Sequence, residues 1–180
     1  KNLVASKKIN EGTILKREMI SFKRARVANG PNPNDIDKFI GKKVNRDINE
    51  NEPVNMEDLE LKTIITLLVS LKSTRLKNKA IAVIEDQTVI EHLIDRMKLC
   101  KIPKELVLCT TIIPYDNTLV EIAKKKGIKY FTGSENDPMD SLIKVGLREK
   151  ADIVVRVTGD NIFTDPMWLD ETIKFHIKNN

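Results

Sequence analysis

From Leu61 onward, short apolar runs alternate with longer amphipathic segments, and this alternation limits the possible folds more than any other feature. The run 63–69 lacks the in-and-out alternation of a half-exposed strand, so we predict a strand buried on both faces. Repeated strand–helix units predict an α/β fold, a Rossmann-like doubly wound parallel sheet. The predicted strands are 63–69, 106–110, 128–131 and 153–157, and the predicted helices are 88–100, 119–126, 138–150 and 166–177.

Local signals define the ends of these helices. Thr88 and Glu91 have the spacing of a capping box at the start of the first helix. Gly127 follows the second helix and is a typical stop. Pro166 is suited to the first turn of the fourth helix, and we expect Asp165 before it to be the N-cap.

Residues 1–60 have a different pattern of short strands and tight turns. We predict strands at 3–5, 20–23 and 43–48, single helical turns at 17–19 and 56–59, and a short helix from Asn34 to Ile40. The letters I-N-E occur twice, each time in a polar turn that precedes a short helical turn. Such a small unit buries little core and needs a partner surface. We therefore expect two domains, 1–60 and 61–180.

Composition narrows the classes of function. Aromatic residues make up 4% of the chain, too few for stacking platforms that bind single-stranded nucleic acid. The net charge of +5 is spread over both halves, with 12 basic and 10 acidic residues in 1–60 and 19 and 16 in 61–180. No apolar stretch reaches the roughly 18 residues of a membrane span, and no signal peptide is visible. We expect a cytoplasmic protein that binds neither nucleic acid nor membrane.

The two cysteines, Cys100 and Cys109, lie in apolar segments and fit small buried side chains in a reducing compartment. The chain lacks an initial Met, and its last residues continue a helical pattern. We therefore expect a piece of a longer polypeptide.

The loop 70–81 after the first strand of the sheet carries four cations between Lys72 and Lys79, and no acid. Loops at the carboxyl ends of parallel strands bind phosphates in open α/β sheets. Arg75 offers a planar fork and Lys79 a point charge for phosphate oxygens, and Ser73 and Thr74 can donate hydrogen bonds. A solvated basic loop is the alternative.

Two further loops share that edge of the sheet. Asp160 follows Gly159 directly after the fourth strand, and a carboxylate near phosphates is a typical ligand of Mg²⁺. A turn-forming Asp is the alternative. Thr110 and Thr111, after the second strand, could read the edge of a nucleotide base.

The segments L-V-A-S-K-K-I-N-E-G-T-I, F-K-R-A-R-V-A-N-G-P and I-G-K-K-V-N-R-D-I-N-E-N-E-P-V cover most of residues 1–60. They resemble the SAF (antifreeze-like, β-clip) domain at the C-terminus of sialic acid synthases. In that family a basic loop residue reaches the substrate site of the neighbouring subunit. The resemblance implies this role for Arg24, with Arg26 as the alternative, because the loop departs from the family's K-R-P-G-x-G after Arg24.

Four blocks resemble the cytidylyltransferases that activate acidic sugars, namely CMP-sialate and CMP-Kdo synthetases and SpsF-type spore-coat proteins. The blocks are S-T-R-L-x-x-K, T-V-I-E-H-L-I-D-R, G-I-K-Y-F-T-G-S-E-N-D and V-V-R-V-T-G-D-N followed by D-P. The resemblance implies that Arg75 and Lys79 are catalytic residues that bind the triphosphate of CTP. It also implies that Asp160 is one of two aspartates holding Mg²⁺, the second lying in a later half that this chain lacks.

Two positions depart from this family. Ser70 stands where members have Arg, and Lys77 with Asn78 stands where they have Pro-Gly, so Lys72 or Lys77 would supply the missing charge.

Together the two resemblances imply a bifunctional enzyme of nonulosonic (sialic-type) acid biosynthesis, with a synthase barrel in the same chain and CMP transfer from CTP to an acidic sugar. We expect a homo-oligomer at full length and an inactive 180-residue fragment. One alternative is a degenerate module that binds sugar nucleotides or acts as a glycosyltransferase. The other is a non-catalytic piece whose SAF domain completes a synthase site in a neighbouring subunit.

Overall fold

The computed structural model describes residues 1–23, 31–72 and 76–179. These residues form two compact units. The first unit contains the chain up to Leu61 together with the residues from Lys174 on, and the second unit extends from Lys62 to Ile173.

In the first unit, strands β1 (Asn2–Ala5) and β2 (Ile20–Lys23) pair in antiparallel fashion. Short 3-10 helices lie at Arg17–Met19, Pro33–Lys38 and Met56–Asp58. The core of this unit is apolar and includes Phe39, which is 1% exposed.

Two predictions for this unit were wrong. The segment 43–48 is not a continuous strand, because only isolated bridges form there, including Val44 to Leu59 and Ile9 to Ile48. The short helix, predicted with Asn34 as its cap and Ile40 as its end, is the 3-10 helix Pro33–Lys38, because the Asn32 side chain accepts a hydrogen bond from the Asn34 amide and acts as the cap.

The two I-N-E turns lie 39 residues apart in the sequence. The backbone hydrogen bonds around them repeat with the same spacing. Ile9 and Ile48 exchange both backbone hydrogen bonds at 2.8 Å. Gly12 donates to the Val44 carbonyl, and Asn51, 39 residues later, donates to the Ala5 carbonyl, both at 2.9 Å. Gly12 and Asn51 both adopt positive φ, at 81° and 67°. Each half of the repeat therefore completes the hydrogen bonding of the other.

The second unit is built on a parallel sheet of four strands, and the predicted α/β class is confirmed. Its elements in chain order are β3 (Thr63–Leu68), the hairpin β4 (Val83–Ile84) and β5 (Gln87–Thr88), α1 (Val89–Met97), β6 (Glu105–Thr111), α2 (Asn117–Lys125), β7 (Lys129–Gly133), α3 (Pro138–Glu149), β8 (Ile153–Thr158) and α4 (Pro166–Asn179), of which the residues up to Ile173 belong to this unit. The strand order is β7-β6-β3-β8, with every neighbour parallel. The chain winds outward from β3 through β6 to β7 and then crosses to the other side of β3.

Both faces of the sheet are covered, as the continuous apolar run at β3 predicted. Ile65 and Leu67 pack on one face with residues of α1 and α2, whereas Ile64 packs on the other with Val145 of α3. Successive side chains of a strand point to opposite faces, so both sets must be apolar in a doubly covered sheet. The sequence pattern had no signal for the small hairpin formed by β4 and β5.

The predicted capping box at the start of α1 is confirmed. Thr88 donates its backbone amide to the Glu91 carboxylate at 2.9 Å, and its side-chain oxygen accepts from the Glu91 amide at 3.4 Å. The Glu91 side chain is 6% exposed and also pairs with Lys125 of α2 at 2.9 Å. These contacts, the Thr88 amide first and then Lys125, lower the pKa of Glu91 from 4.5 to about 2.

We predict that Glu91→Gln lowers the free energy of unfolding at pH 7 by about 1 to 2 kcal/mol, because it weakens the cap and removes the charge that pairs with Lys125. Glu91 has its depressed pKa in the folded state, so its contribution is complete above pH 4.5 and is lost as the pH falls toward 2. Urea denaturation at pH 7 and near pH 3 should therefore show a smaller difference between wild type and variant at the lower pH. A difference that stays constant or grows on acidification would contradict this assignment.

Candidate active site

The winding of the chain reverses at β3, because β6 lies on one side of this strand and β8, the last strand, on the other. Open α/β sheets bind ligands outside the carboxyl ends of the strands at such a switch point. The two loops that leave this point are the basic loop after β3 and the loop after β8. Both loops carry the charged side chains that the sequence predicts as phosphate and metal ligands.

Gly159 allows the β8 loop to approach the basic loop closely. Its amide donates to the carbonyl of Leu68, the last paired residue of β3, at 2.9 Å and so extends the pairing by one residue past Thr158. A Cβ atom at position 159 would lie 2.5 Å from Cβ of Val69, a separation that real side chains do not tolerate. The glycine is therefore required by close packing, not by a positive φ, and it places Asp160 beside the loop.

Lys79 and Asp160, predicted separately as a phosphate ligand and a metal ligand, form an ion pair. Both are partly exposed, at 33% and 46% of their side chains. The Lys79 ammonium group is the main cause of a lowered pKa at Asp160, with a further contribution from the Thr158 hydroxyl. Asp160 is therefore a carboxylate at neutral pH, at the carboxyl edge of the sheet.

Acids that balance the charge of the basic loop come from elsewhere in the chain. Lys72, which is exposed, pairs with Glu135 from the loop after β7. Lys77 is also exposed. The predicted residues Ser73, Thr74 and Arg75 lie outside the described residues, and so do Arg24 and Arg26 of the first unit.

The hydroxyl groups of Thr110 and Thr111 are directed at a carboxylate that the sequence reasoning missed. Both hydroxyls donate to Asp116, at 3.1 and 2.6 Å, and Asp116 also accepts the Leu71 amide at 2.9 Å. Asp116 is 2% exposed. Burial alone would raise its pKa, but the hydrogen bonds from Thr111, Leu71, Thr110 and Ser70 together lower it.

Tyr115 makes a second contact with the basic loop. Its hydroxyl donates to the side-chain oxygen of Asn78, which has a positive φ of 58° and directly precedes Lys79. The adjacent residues Tyr115 and Asp116 thus contact opposite ends of the loop. In the sequence, Tyr115 and Asp116 stand between the threonine-rich end of a strand and a helix. That pattern is equally typical of an ordinary helix start, so it did not indicate a contact with the basic loop.

Within residues 1–23, 31–72 and 76–179, no three His, Cys, Asp or Glu side chains group closely enough to form a complete metal site. Asp165, five residues beyond Asp160, caps α4 through the Trp168 amide at 3.0 Å, as the sequence predicted. No described helix is both long and apolar enough to cross a membrane.

A family model for cytidylyltransferases matches residues 67–180. The chain belongs to the cytidylyltransferase family. A second model, for the SAF domain, matches residues 2–60. Both resemblances predicted from the sequence are therefore confirmed, and the sheet order is the Rossmann-like one expected for the second of them.

Three similar proteins belong to this comparison. The spore coat polysaccharide biosynthesis protein SpsF of Bacillus subtilis is 32% identical over 108 residues, which are 58% of this chain and 45% of SpsF. The 3-deoxy-manno-octulosonate cytidylyltransferase of Geotalea daltonii is 29% identical over 103 residues, 56% of this chain and 39% of that protein. A solved cytidylyltransferase structure from Leptospira borgpetersenii has a TM-score of 0.58 at 32% identity and covers 63% of this chain and 47% of that one. The chain thus spans less than half the length of these relatives.

Proposed function

We propose that the whole protein transfers CMP from CTP to an acidic sugar and that this chain supplies the triphosphate side of the crevice. The observation that carries the proposal is the meeting of Lys79 and Asp160 at the switch point of the sheet. The family match supports CTP as the nucleotide. The relative from Geotalea daltonii, named for an acidic sugar, supports the class of acceptor.

In this proposal Lys79 contacts phosphate oxygens of CTP together with Arg75, Ser73 and Thr74. A phosphate is a stronger acceptor for an ammonium group than a partly exposed carboxylate, because it carries more charge and more oxygens. Lys79 would therefore leave Asp160 when the nucleotide binds.

Asp160 is the proposed ligand of a divalent cation, and Mg²⁺ is our choice. The site fits such an ion because Asp160 is ionised, partly exposed and placed at the sheet edge that would receive the phosphates. Mg²⁺ needs only one or two carboxylates when phosphate oxygens and waters complete its shell. When bound, the ion would neutralise negative charge that develops on the phosphates.

The reaction needs no nucleophilic side chain in this chain. A hydroxyl oxygen of the acceptor sugar attacks the α-phosphorus of CTP and its proton passes to solvent, a new phosphorus–oxygen bond forms, and pyrophosphate leaves with the electrons of the broken bond. The task of the protein is to hold the reactants in line and to stabilise charge. The hydroxyl protons of Thr110 and Thr111 are used by Asp116, so we propose that these residues shape the nucleotide site rather than donate to a base.

We propose that the 180-residue chain is inactive by itself. The cleft between the ends of β3, β6 and β7 has a volume of about 110 Å³. Pockets for nucleotide-sized ligands measure roughly 300 to 1,000 Å³. The remaining walls, the second metal aspartate and the sugar contacts would come from the part of the relatives that has no counterpart here.

For residues 2–60, which match the SAF domain, we propose action together with a sialic-type acid synthase barrel in the same protein. Arg24, with Arg26 as the alternative, would reach the synthase site of a neighbouring subunit, which makes a homo-oligomer part of the proposal. One domain would then make the sugar acid and the next would activate it. A cytoplasmic location belongs to the same proposal, because CTP is a cytoplasmic substrate.

We predict that Asp160→Asn in the whole protein lowers cation-dependent CMP transfer by at least about 100-fold, because a neutral amide is a poor ligand for Mg²⁺. The matched control is Asp165→Asn in the same loop, since Asn caps a helix nearly as well as Asp and this variant should stay active. Pyrophosphate release with CTP and a set of sugar acids measures both. Normal turnover by Asp160→Asn would refute the metal assignment.

The rival function, a degenerate module that binds sugar nucleotides without transferring CMP, is favoured by Ser70, which replaces the Arg of the family. We predict that the wild-type protein transfers CMP and that Ser70→Arg changes the rate by less than about tenfold, because Lys72 and Lys77 supply charge nearby. An inactive wild type that gains CMP transfer through Ser70→Arg would favour the rival.

A further inference from the structure

The carboxylate of Asp116 is unusual for its position in the chain. It stands at the N-cap of α2, where an Asp side chain normally accepts a hydrogen bond from the first turn of the helix. Here the side chain makes no capping hydrogen bond. It points instead to the start of the basic loop and to the end of β6.

The contacts of this carboxylate join two separate segments. One oxygen accepts the Leu71 amide at 2.9 Å, and the other accepts the Thr110 and Thr111 hydroxyls. Leu71 and Asp116 are 45 positions apart and both are almost completely buried. A buried, charge-assisted set of hydrogen bonds is worth more than an exposed one and is costly to leave unsatisfied.

The residue before Asp116 holds the other end of the same loop. The Tyr115 hydroxyl donates to Asn78, and Asn78 is followed by Lys79, which pairs with Asp160. The short 3-10 helix Pro114–Asp116 therefore contacts the loop at residues 71 and 78, on both sides of the segment that carries Arg75.

We propose that Asp116 is a positioning residue for CTP binding, which fixes the start of the basic loop while Tyr115 fixes its end. The inference rests on the proposed function. Asp116 touches neither nucleotide nor metal in this account. It acts by holding the basic loop in place. Its loss should therefore weaken CTP binding in the same way as the loss of a phosphate ligand in that loop, because both remove contacts between the loop and the phosphates.

The test compares two buried aspartates in the whole protein. Asp116→Asn keeps size and shape but turns an amide donor toward groups that already donate. Asp170→Asn is the matched control, since Asp170 is 7% exposed and accepts the Lys101 and Ile102 amides at 2.8 and 3.0 Å, just before β6 begins and away from the crevice. Calorimetry gives the Kd for CTP, and thermal unfolding gives Tm.

We expect both variants to lower Tm, but only Asp116→Asn to raise the Kd for CTP, by about tenfold, against less than twofold for Asp170→Asn. In a double-mutant cycle with Lys79→Ala, the two effects on Kd should combine to clearly less than their product, because both act on one loop. The proposal would be overturned if the two aspartate variants changed the Kd equally. It would also be overturned if the Kd of the double variant changed by the full product of the two single effects.

A further variant and a second readout keep the test decisive. Tyr115→Phe removes one exposed hydrogen bond, should fold normally, and should raise the Kd for CTP by two- to threefold; an unchanged Kd would contradict the role proposed for Tyr115. If wild-type protein binds no CTP, the proposed function fails, and amide hydrogen exchange then tests separately whether Asp116 holds the loop.

Asp116→Asn should speed amide exchange at Leu71 and at residues 76–79, whereas Asp170→Asn should not. Equal exchange in the two variants would overturn the proposal for Asp116.

Discussion

The structure of the second unit depends on the central place of β3, which is hydrogen-bonded in parallel to β6 on one side and β8 on the other. Because both neighbours run in the same direction as β3, three carboxyl ends meet at one edge. Loops from distant parts of the sequence are thereby brought together at the point where the winding reverses. Side chains on both faces of β3 are buried, which explains why the run that begins at Thr63 contains no charged residue; its two threonines, Thr63 and Thr66, are fully buried as well.

Charge balance in the crevice follows from this arrangement. The basic loop has no acid of its own, yet Lys72 pairs with Glu135 and Lys79 pairs with Asp160, each acid coming from a different strand end. Exposed pairs of this kind contribute about 1 kcal/mol or less, so they can be exchanged at little cost. A nucleotide with its cation would offer better partners to both members of the Lys79–Asp160 pair. Asp116, in contrast, is buried, and its carboxylate accepts hydrogen bonds from Leu71, Thr110 and Thr111.

Signals confined to a few neighbouring residues predicted the structure well. The capping box at Thr88, the cap at Asp165 and the buried run at β3 each depend on local geometry or on burial, and all were found as expected.

The hydrogen bonds of Asp116 to the basic loop could not be predicted, because its partner Leu71 lies 45 positions away and contributes only a backbone amide. The short bridges of the first unit were mistaken for a strand at 43–48, because the 39-residue repeat satisfies its backbone across the two halves rather than along a ladder. The roles of Arg24 and Arg75 stay predictions, since both lie outside the described residues.

The central proposal is that Lys79 binds the triphosphate of CTP and Asp160 binds its cation at the carboxyl edge of β3. A crystal structure of the whole protein with CTP and Mg²⁺ tests it most directly. The account predicts a triphosphate at the carboxyl edge of β3, with Lys79 on a phosphate oxygen, Asp160 on the cation, and the Asp116 to Leu71 hydrogen bond unchanged. A nucleotide bound elsewhere, or one bound at this edge while Lys79 and Asp160 remain paired, would contradict it.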